Sequence, residues 1–267
     1  MRKILVIALT VLLSLPLGAQ GIHLCKEAPF QDGEKLEMVL MFKWGLVNTE
    51  VGSVSTSITQ SGNLFHASCQ LRTAPFFDAF YKMREHFQSD FTVDGHRPVV
   101  ATRDTYQNGY TANNRFRFDW KAGVIHANLA YSGKEPETKD IPLNGKKPYD
   151  VVSLIYLFRN MEWDGCKKGE SSIVPGIVDD QVIDLRVTYQ GPDKIKVRKQ
   201  GQFSANRFSC TVVAGHLFEG DQEVQVWVSD DENHIPLAIM LPLKMGTMWL
   251  WLKKWDGLKY DLTSKLK

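Results

Sequence analysis

The amino-acid sequence predicts an all-β protein: an antiparallel curved sheet, arranged as an open barrel or sandwich of about a dozen strands, with one short helix near residues 150–160. Apolar and polar residues alternate over many short runs, which is typical of strands with one buried face. Turn signals separate these runs at short, regular spacing. The helices that would connect parallel strands are missing from the pattern, so the sheet is expected to be antiparallel.

The first predicted strand shows this alternation most clearly. Leu36, Met38, Leu40 and Phe42 fall on one face, and Glu37 falls on the other. The further predicted strands are Glu50–Thr59, Leu64–Arg72, Met83–Val93, Val99–Gln107, Arg115–Trp120, Val124–Tyr131, Val182–Tyr189, Lys194–Lys199, Phe208–Val213, Val224–Val228, Leu237–Leu243 and Thr247–Lys253.

Three segments depart from the strand pattern. Residues 149–159 follow a proline and carry apolar residues at helical spacing, with Asp150 as the expected N-cap, so they predict the helix. Residues 132–147 are polar and contain two prolines, which predicts a mobile loop or a linker between two halves of the sheet. Pro75–Tyr81 predicts a short helical turn.

The N-terminus predicts export. Arg2 and Lys3 precede an uncharged run over residues 4–17 that ends shortly before Ala19, which is typical of a secretory signal peptide. We expect residues 1–19 to be removed and residues 20–267 to form a single β domain without an integral membrane segment. The first cysteine, Cys25, does not follow the apolar run directly, so a soluble periplasmic or exported protein is expected and not a lipoprotein.

Charge argues against nucleic acid as a partner. The chain has 32 Lys and Arg against 30 Asp and Glu, and removing Arg2 and Lys3 leaves 30 against 30. Nucleic-acid binders need clustered cationic charge, and this chain has no long basic run. The four cysteines, Cys25, Cys69, Cys166 and Cys210, are compatible with one or two disulfides or with free buried thiols, and their spacing does not select a pairing.

Several motifs together resemble the bacterial domain-of-unknown-function 3108 family of exported proteins. They are Gly33-Glu34-Lys35-Leu36, Tyr149-Asp150-Val151-Val152-Ser153 with Tyr156 and Arg159, Gly201-Gln202-Phe203, and Val226-Trp227-Val228-Ser229-Asp230-Asp231 with Ile235-Pro236 and Gly246. The resemblance covers nearly the whole mature chain and is most specific over residues 225–265. It implies an all-β envelope protein and implies no reaction.

Searches for catalytic motifs leave the question of enzyme activity open and favour a non-enzyme. The sequence contains no nucleophile elbow, phosphate-binding loop, zinc-protease motif or dinucleotide motif, and no cofactor is expected. Asp230, Asp231 and His234 form the densest polar cluster and are weak candidates for a metal site. A solvated hairpin turn explains the same residues more simply.

Two groups of residues are candidates for lining a ligand site. Tyr156 and Arg159 lie on one face of the predicted helix, where the arginine would bind an anionic ligand or pair with an aspartate of the fold. Trp249 and Trp251 share one face of a strand that is apolar on both faces, so they would lie in the core, line an apolar or sugar-stacking cavity, or touch lipid.

The function predicted from sequence is that of a non-catalytic binding or scaffold protein of the periplasm. The more specific form of this prediction is a protein that binds an apolar or carbohydrate ligand. A hydrolase acting on envelope polymers is the first alternative, and a structural partner of an outer-membrane complex is the second. The partner is thus an unknown ligand or an envelope protein.

Overall fold

The computed structural model describes residues 23–212 and 223–267, which form one antiparallel sheet of 14 strands with two helices. The strands are β1 Lys35–Trp44, β2 Val47–Ser61, β3 Leu64–Thr73, β4 Met83–Thr92, β5 Pro98–Gln107, β6 Tyr110–Asp119, β7 Val124–Tyr131, β8 Glu137–Pro142, β9 Ser171–Val178, β10 Gln181–Val197, β11 Gly201–Val212, β12 Val224–Ser229, β13 Pro236–Pro242 and β14 Thr247–Asp256. The helices are α1 Pro75–Asp78 and α2 Val151–Arg159. The predicted all-β class is confirmed, whereas the predicted signal peptide lies outside the described residues.

The chain forms two meanders that join in the middle of the sheet. Strands β1 to β8 pair in sequence order, strands β9 to β14 do the same, and β1 pairs with β14 from Lys35 opposite Asp256 to Lys43 opposite Thr247. The first and last strands are therefore central, and the two edges are β8 and β9, which follow one another along the chain.

The two edges of the sheet meet at a seam because a sheet of this many strands curls on itself. The backbone nitrogen of Tyr149 donates to Pro175 at 3.0 Å, and Ile177 on β9 donates back to Tyr149 at 2.9 Å. Arg103 on β5 pairs with Asp179, just after β9, at 2.6 Å. The result is an open barrel, one of the two arrangements that the sequence left open.

Helix α2 fills the inside of this barrel, and we call the sheet face that packs against it the inner face. The Asp150 side chain caps the helix by accepting hydrogen bonds from the Val152 and Ser153 nitrogens at 2.9 and 3.2 Å, as predicted. Ser89 Oγ on β4 also donates to Asp150, at 2.6 Å. Tyr156 and other apolar residues of the helix are buried against the inner face of β1 to β4.

A buried arginine ends the helix and joins it to distant parts of the chain. Arg159 is 2% exposed and forms a two-point ion pair with Glu34, which is 1% exposed, at 2.5 and 2.9 Å. Its guanidinium also donates to the backbone oxygens of Asn233 and His234 at 3.0 and 3.2 Å. The expected ion pair of Arg159 thus exists, with a glutamate and not an aspartate as its partner.

A second apolar core lies on the outer face of β12 to β14. The end of the β10–β11 hairpin folds over these strands, so Ile195, Val197 and Phe203 pack with Leu237 and Leu252. Trp227 is buried there, and its Nε1 donates to Asp193 on the hairpin at 2.9 Å.

The structure corrects four details of the predicted elements. The polar segment 132–147 contains strand β8, and β9 was not predicted at all. The predicted strands Val182–Tyr189 and Lys194–Lys199 belong to one continuous strand, β10, with an irregularity between Tyr189 and Gly191. The helical turn predicted at residues 75–81 is confirmed as helix α1, so the described residues hold two helices, whereas the predicted fold had one.

The four cysteines are free in the structure. Cys69 is buried, and burial raises the pKa of its thiol to about 11, so it behaves as a small apolar side chain.

Neither helix among residues 23–212 and 223–267 has the length and apolar character needed to cross a membrane.

Replacing Glu34 with glutamine is expected to destabilise the fold by about 3–5 kcal/mol, because Arg159 keeps a buried charge without a counter-charge. Urea denaturation of Glu34→Gln measures the loss. Glu27→Gln is the matched control, since Glu27 lies in the same segment but is exposed in its 3.1 Å pair with Lys259. Equal stability of the two variants would show that the buried pair does not hold the helix.

Candidate functional site

A polar groove lies on the outer face of β14, β1, β2 and β3. Ser53, Ser55 and Ser57 alternate along β2 with the apolar residues that face the inner core. Register places Ser57 opposite Ser68 and Ser55 opposite Gln70 on β3. Alternation therefore presents two adjacent rows of hydroxyl and amide groups to the outside.

The groove has a volume of about 520 Å³, and Trp255 is the aromatic residue at its edge. Trp255 on β14 is half-buried and lines it beside Lys254, while Lys35 and Glu37 of β1 contribute to the floor. Ser57 Oγ and Ser68 Oγ lie 3.1 Å apart within it. The groove thus combines an indole ring with hydrogen-bonding groups of both donor and acceptor type.

Glu37, one of the two carboxylates that line the groove, is paired with two lysines. Lys253 Nζ donates to Glu37 at 2.8 Å, and Lys254 Nζ lies 3.9 Å from the same carboxylate. The hydrogen bond from Lys253 holds the pKa of the Glu37 carboxyl below its usual range. Glu37 therefore stays ionised near neutral pH and is a poor proton donor.

A second outer groove, of about 500 Å³, continues the first across β3 to β6. The two share Gln70 and Arg72, and the second ends at the exposed ring of Tyr106. Together they form what we call the outer track, which crosses seven strands from β14 to β6. At a strand spacing of about 4.8 Å, this crossing spans roughly 29 Å.

The interior offers much less space. A cleft of about 200 Å³ at the seam is lined by Phe87, Ala101, Phe116 and Ile177, with Arg103 at its side. Arg103 is already paired with Asp179 and lies 3.7 Å from a carboxylate oxygen of Glu85. This cleft is too small for more than a short apolar group.

The predicted tryptophans lie next to the track but do not line its groove. Trp249 and Trp251 stack with ring centroids 4.7 Å apart, and Trp227 stacks on Trp249 at 5.6 Å. All three belong to the outer core beneath the β10–β11 hairpin. Trp255, the third of that strand, packs against the same core with Lys265 Nζ over its ring, and it also lines the groove.

Tyr156 and Arg159 are buried in the barrel interior. Burial raises the pKa of the Tyr156 hydroxyl, and its ring packs against Phe30 with centroids 4.8 Å apart. The Arg159 guanidinium is already paired with the Glu34 carboxylate. The two residues therefore hold the fold from within and lie away from the track.

The acidic cluster does form the turn between β12 and β13, but its side chains point to separate partners. Asp230 accepts from Asn206 at 3.0 Å, and His234 Nδ1 lies 2.8 Å from the Arg159 backbone oxygen. Asp231 accepts from the backbone nitrogens of Asn233 and Ser264, both at 3.1 Å. Over residues 23–212 and 223–267, no group of three or more metal-ligating side chains converges, and this turn is more buried than a solvated turn.

The groove residues were not singled out from the sequence. The signal was present in Ser53-Val54-Ser55-Thr56-Ser57-Ile58, where hydroxyl residues occupy the face opposite the core. Such a row is also the ordinary outer face of a strand, so only the neighbouring Trp255 and the shape of the sheet mark it as a groove.

Comparisons with known proteins identify a family and a fold. The family model of the protein of unknown function DUF3108 matches residues 40–251. A β-barrel-like protein of the domain of unknown function DUF1849 from Brucella abortus has a TM-score of 0.59 at 11% identity, covering 88% of this chain and 100% of its own. A Bacteroides fragilis protein with a YmcC-like fold has a TM-score of 0.35 at 7% identity, covering 88% and 99%. A search of curated proteins found no match.

Replacing Asp231 with alanine is expected to cost about 1–3 kcal/mol, because the Asn233 and Ser264 nitrogens and the Ser229 hydroxyl lose their acceptor. Urea denaturation measures the change. Glu232→Ala is the control, since its exposed side chain should change stability by no more than about 0.5 kcal/mol. If Asp231→Ala does not change the free energy of unfolding, the interpretation of these residues as a simple solvated turn would be correct.

Proposed function

This chain belongs to the DUF3108 family of proteins of unknown function, and we propose that it is a non-catalytic glycan-binding protein of the bacterial periplasm. The observation that carries the proposal is the outer track, a path lined by hydroxyl, amide and charged groups that crosses seven strands between Trp255 and Tyr106. The fold alone assigns no activity, so the proposal rests on this surface.

The chemistry of the track suits sugars. Sugar hydroxyls are both donors and acceptors, and the serine row, Gln70 and Arg72 offer complementary groups. Trp255 is half-buried, and the exposed part of its indole provides apolar surface on which the C–H face of a pyranose ring packs. A length of roughly 29 Å fits an extended chain of several sugars better than a single small molecule.

Geometry favours binding over hydrolysis. A glycosidase needs one carboxyl group with a raised pKa as a proton donor, beside a second carboxylate. In the groove, Glu37 has a lowered pKa because it accepts a hydrogen bond from Lys253. Asp150 has a pKa raised by burial, but it caps helix α2 inside the barrel and does not face the track.

The filled interior favours a carbohydrate over an apolar ligand. Helix α2 occupies the space where a barrel would hold a lipid chain, and the seam cleft measures only about 200 Å³. The predicted export signal supports a location where envelope glycans are accessible.

Removing Gln70 and Trp255 one at a time is expected to weaken glycan binding. The probes are purified peptidoglycan sacculi and a soluble chain of N-acetylglucosamine units, with affinity measured by sedimentation and calorimetry. Gln70→Ala should weaken binding by roughly five- to tenfold, the effect of one or two hydrogen bonds. Trp255→Ala should cost one to a few kcal/mol of binding.

Gln88→Ala is the matched control, because Gln88 is exposed on the adjacent strand β4 and lines neither groove. Equal affinity of Gln70→Ala, Trp255→Ala and wild type for both probes would sink the proposal. Release of new reducing ends from either probe would instead move the hydrolase to first place.

A further inference from the structure

One end of the sheet carries most of the exposed apolar side chains. The odd-numbered strands run toward this end, so the turns after β1, β3, β5 and β13 all lie there. Twelve large apolar side chains are exposed among the described residues, and all but Val100 and Val151 lie at this end. The other ten, which we call the apolar rim, are Trp44, Leu46, Val47, Phe76, Phe80, Tyr81, Tyr106, Tyr110, Leu243 and Met245.

Contacts between neighbouring turns make the rim continuous. The backbone of Gly246 approaches Lys43 so closely that an added Cβ would lie 2.3 Å from the Lys43 oxygen. Ala74, before α1, donates to Val51 of β2 at 2.8 Å, and Asn108 donates to Lys82 at 2.8 Å. The four turns therefore stand side by side along one edge of the barrel.

The rim side chains project from the turns and do not pack inward. Leu46 is fully exposed at the tip of the β1–β2 turn, and Phe76 and Phe80 are 73% and 71% exposed. The two phenylalanine rings contact each other with centroids 5.8 Å apart. Exposed apolar side chains that cluster at one end of a fold often mark a surface that binds a protein or a membrane.

The charge of the rim favours a membrane. Its turns, residues 43–47, 75–82, 106–110 and 243–246, contain three lysines and one acidic residue, Asp78. Asp78 is paired with Arg84, so Lys43 and Lys82 make the charge beside Leu46, Phe76 and Phe80 positive. Lysine stems cover apolar surface while their ammonium groups reach phosphates, and tryptophan and tyrosine rings prefer the same interfacial depth.

We infer that the apolar rim docks the protein peripherally on a lipid bilayer that contains anionic headgroups. The side chains that project from the four turns can each insert between lipid molecules. A partner protein with a flat surface would contact only the ends of these side chains and leave gaps between the turns. Apolar side chains at the tips supply burial, and the flanking lysines supply attraction to the anionic surface. This inference is independent of the glycan proposal, because the variants that test it lie outside the track.

Vesicle sedimentation of the mature protein tests the inference. Wild type should bind vesicles of phosphatidylethanolamine and phosphatidylglycerol, and binding should weaken with salt. A Phe76→Ser/Phe80→Ser variant should bind at least about tenfold more weakly, because two aromatic side chains lose their burial. Leu46→Ser, on a different turn, should weaken binding in the same direction.

Val100→Ser is the matched control, since Val100 is exposed at the opposite end of β5, and it should bind as wild type does. Lys43→Gln/Lys82→Gln should lower binding to anionic vesicles and reduce its dependence on salt. Failure of wild type to bind, or an equal loss in Val100→Ser, would overturn the inference. The inference would also be overturned if light scattering showed that wild type is a dimer and that the rim variants are monomers, because the rim would then join two copies of the chain.

Discussion

The Arg159 guanidinium is the point on which the inside of the barrel depends. It is buried at the end of helix α2, where it contacts Glu34 before β1 and the backbone of Asn233 and His234 after β12. A charge at this depth is tolerated only with a full set of partners, because its desolvation penalty is several kcal/mol. Helix, first strand and the β12–β13 turn must therefore all be in place together, which favours one arrangement over looser alternatives.

That constraint decides where a ligand can bind. By holding α2 against the inner face, the ion pair fills the described part of the interior with the helix and with the aromatic cluster around Phe30 and Tyr156. The available surface is then the outer face, where the β10–β11 hairpin covers β12 to β14. Arg198 at the hairpin end lies 3.5 Å from Glu50 on β2, and Gln200 donates to Lys253 at 2.7 Å. Beyond this cover the serine row of β2 and the polar outer face of β3 are open.

Local patterns predicted most of the fold, because strand alternation and helix capping depend on residues that are close together in the sequence. Asp150 marked the start of α2, whereas β8 was missed because four of its six residues are polar and exposed, and β9 contains Pro175 within its short run. The site was predicted less well. No local pattern shows that Glu34 meets Arg159, 125 positions away, or that a hairpin covers Trp251 and leaves Trp255 at the groove.

The two proposed surfaces have a definite geometric relation. The track begins near Lys35, at the start of β1, and ends at Tyr106, which also belongs to the apolar rim. It therefore crosses the strands obliquely and approaches the rim at one end only. A protein docked through its rim would hold a chain on the track with one end near the lipid headgroups and the other pointing away. Because Phe76 and Phe80 lie outside the track and Gln70 lies outside the rim, substitutions at these positions separate the two surfaces experimentally.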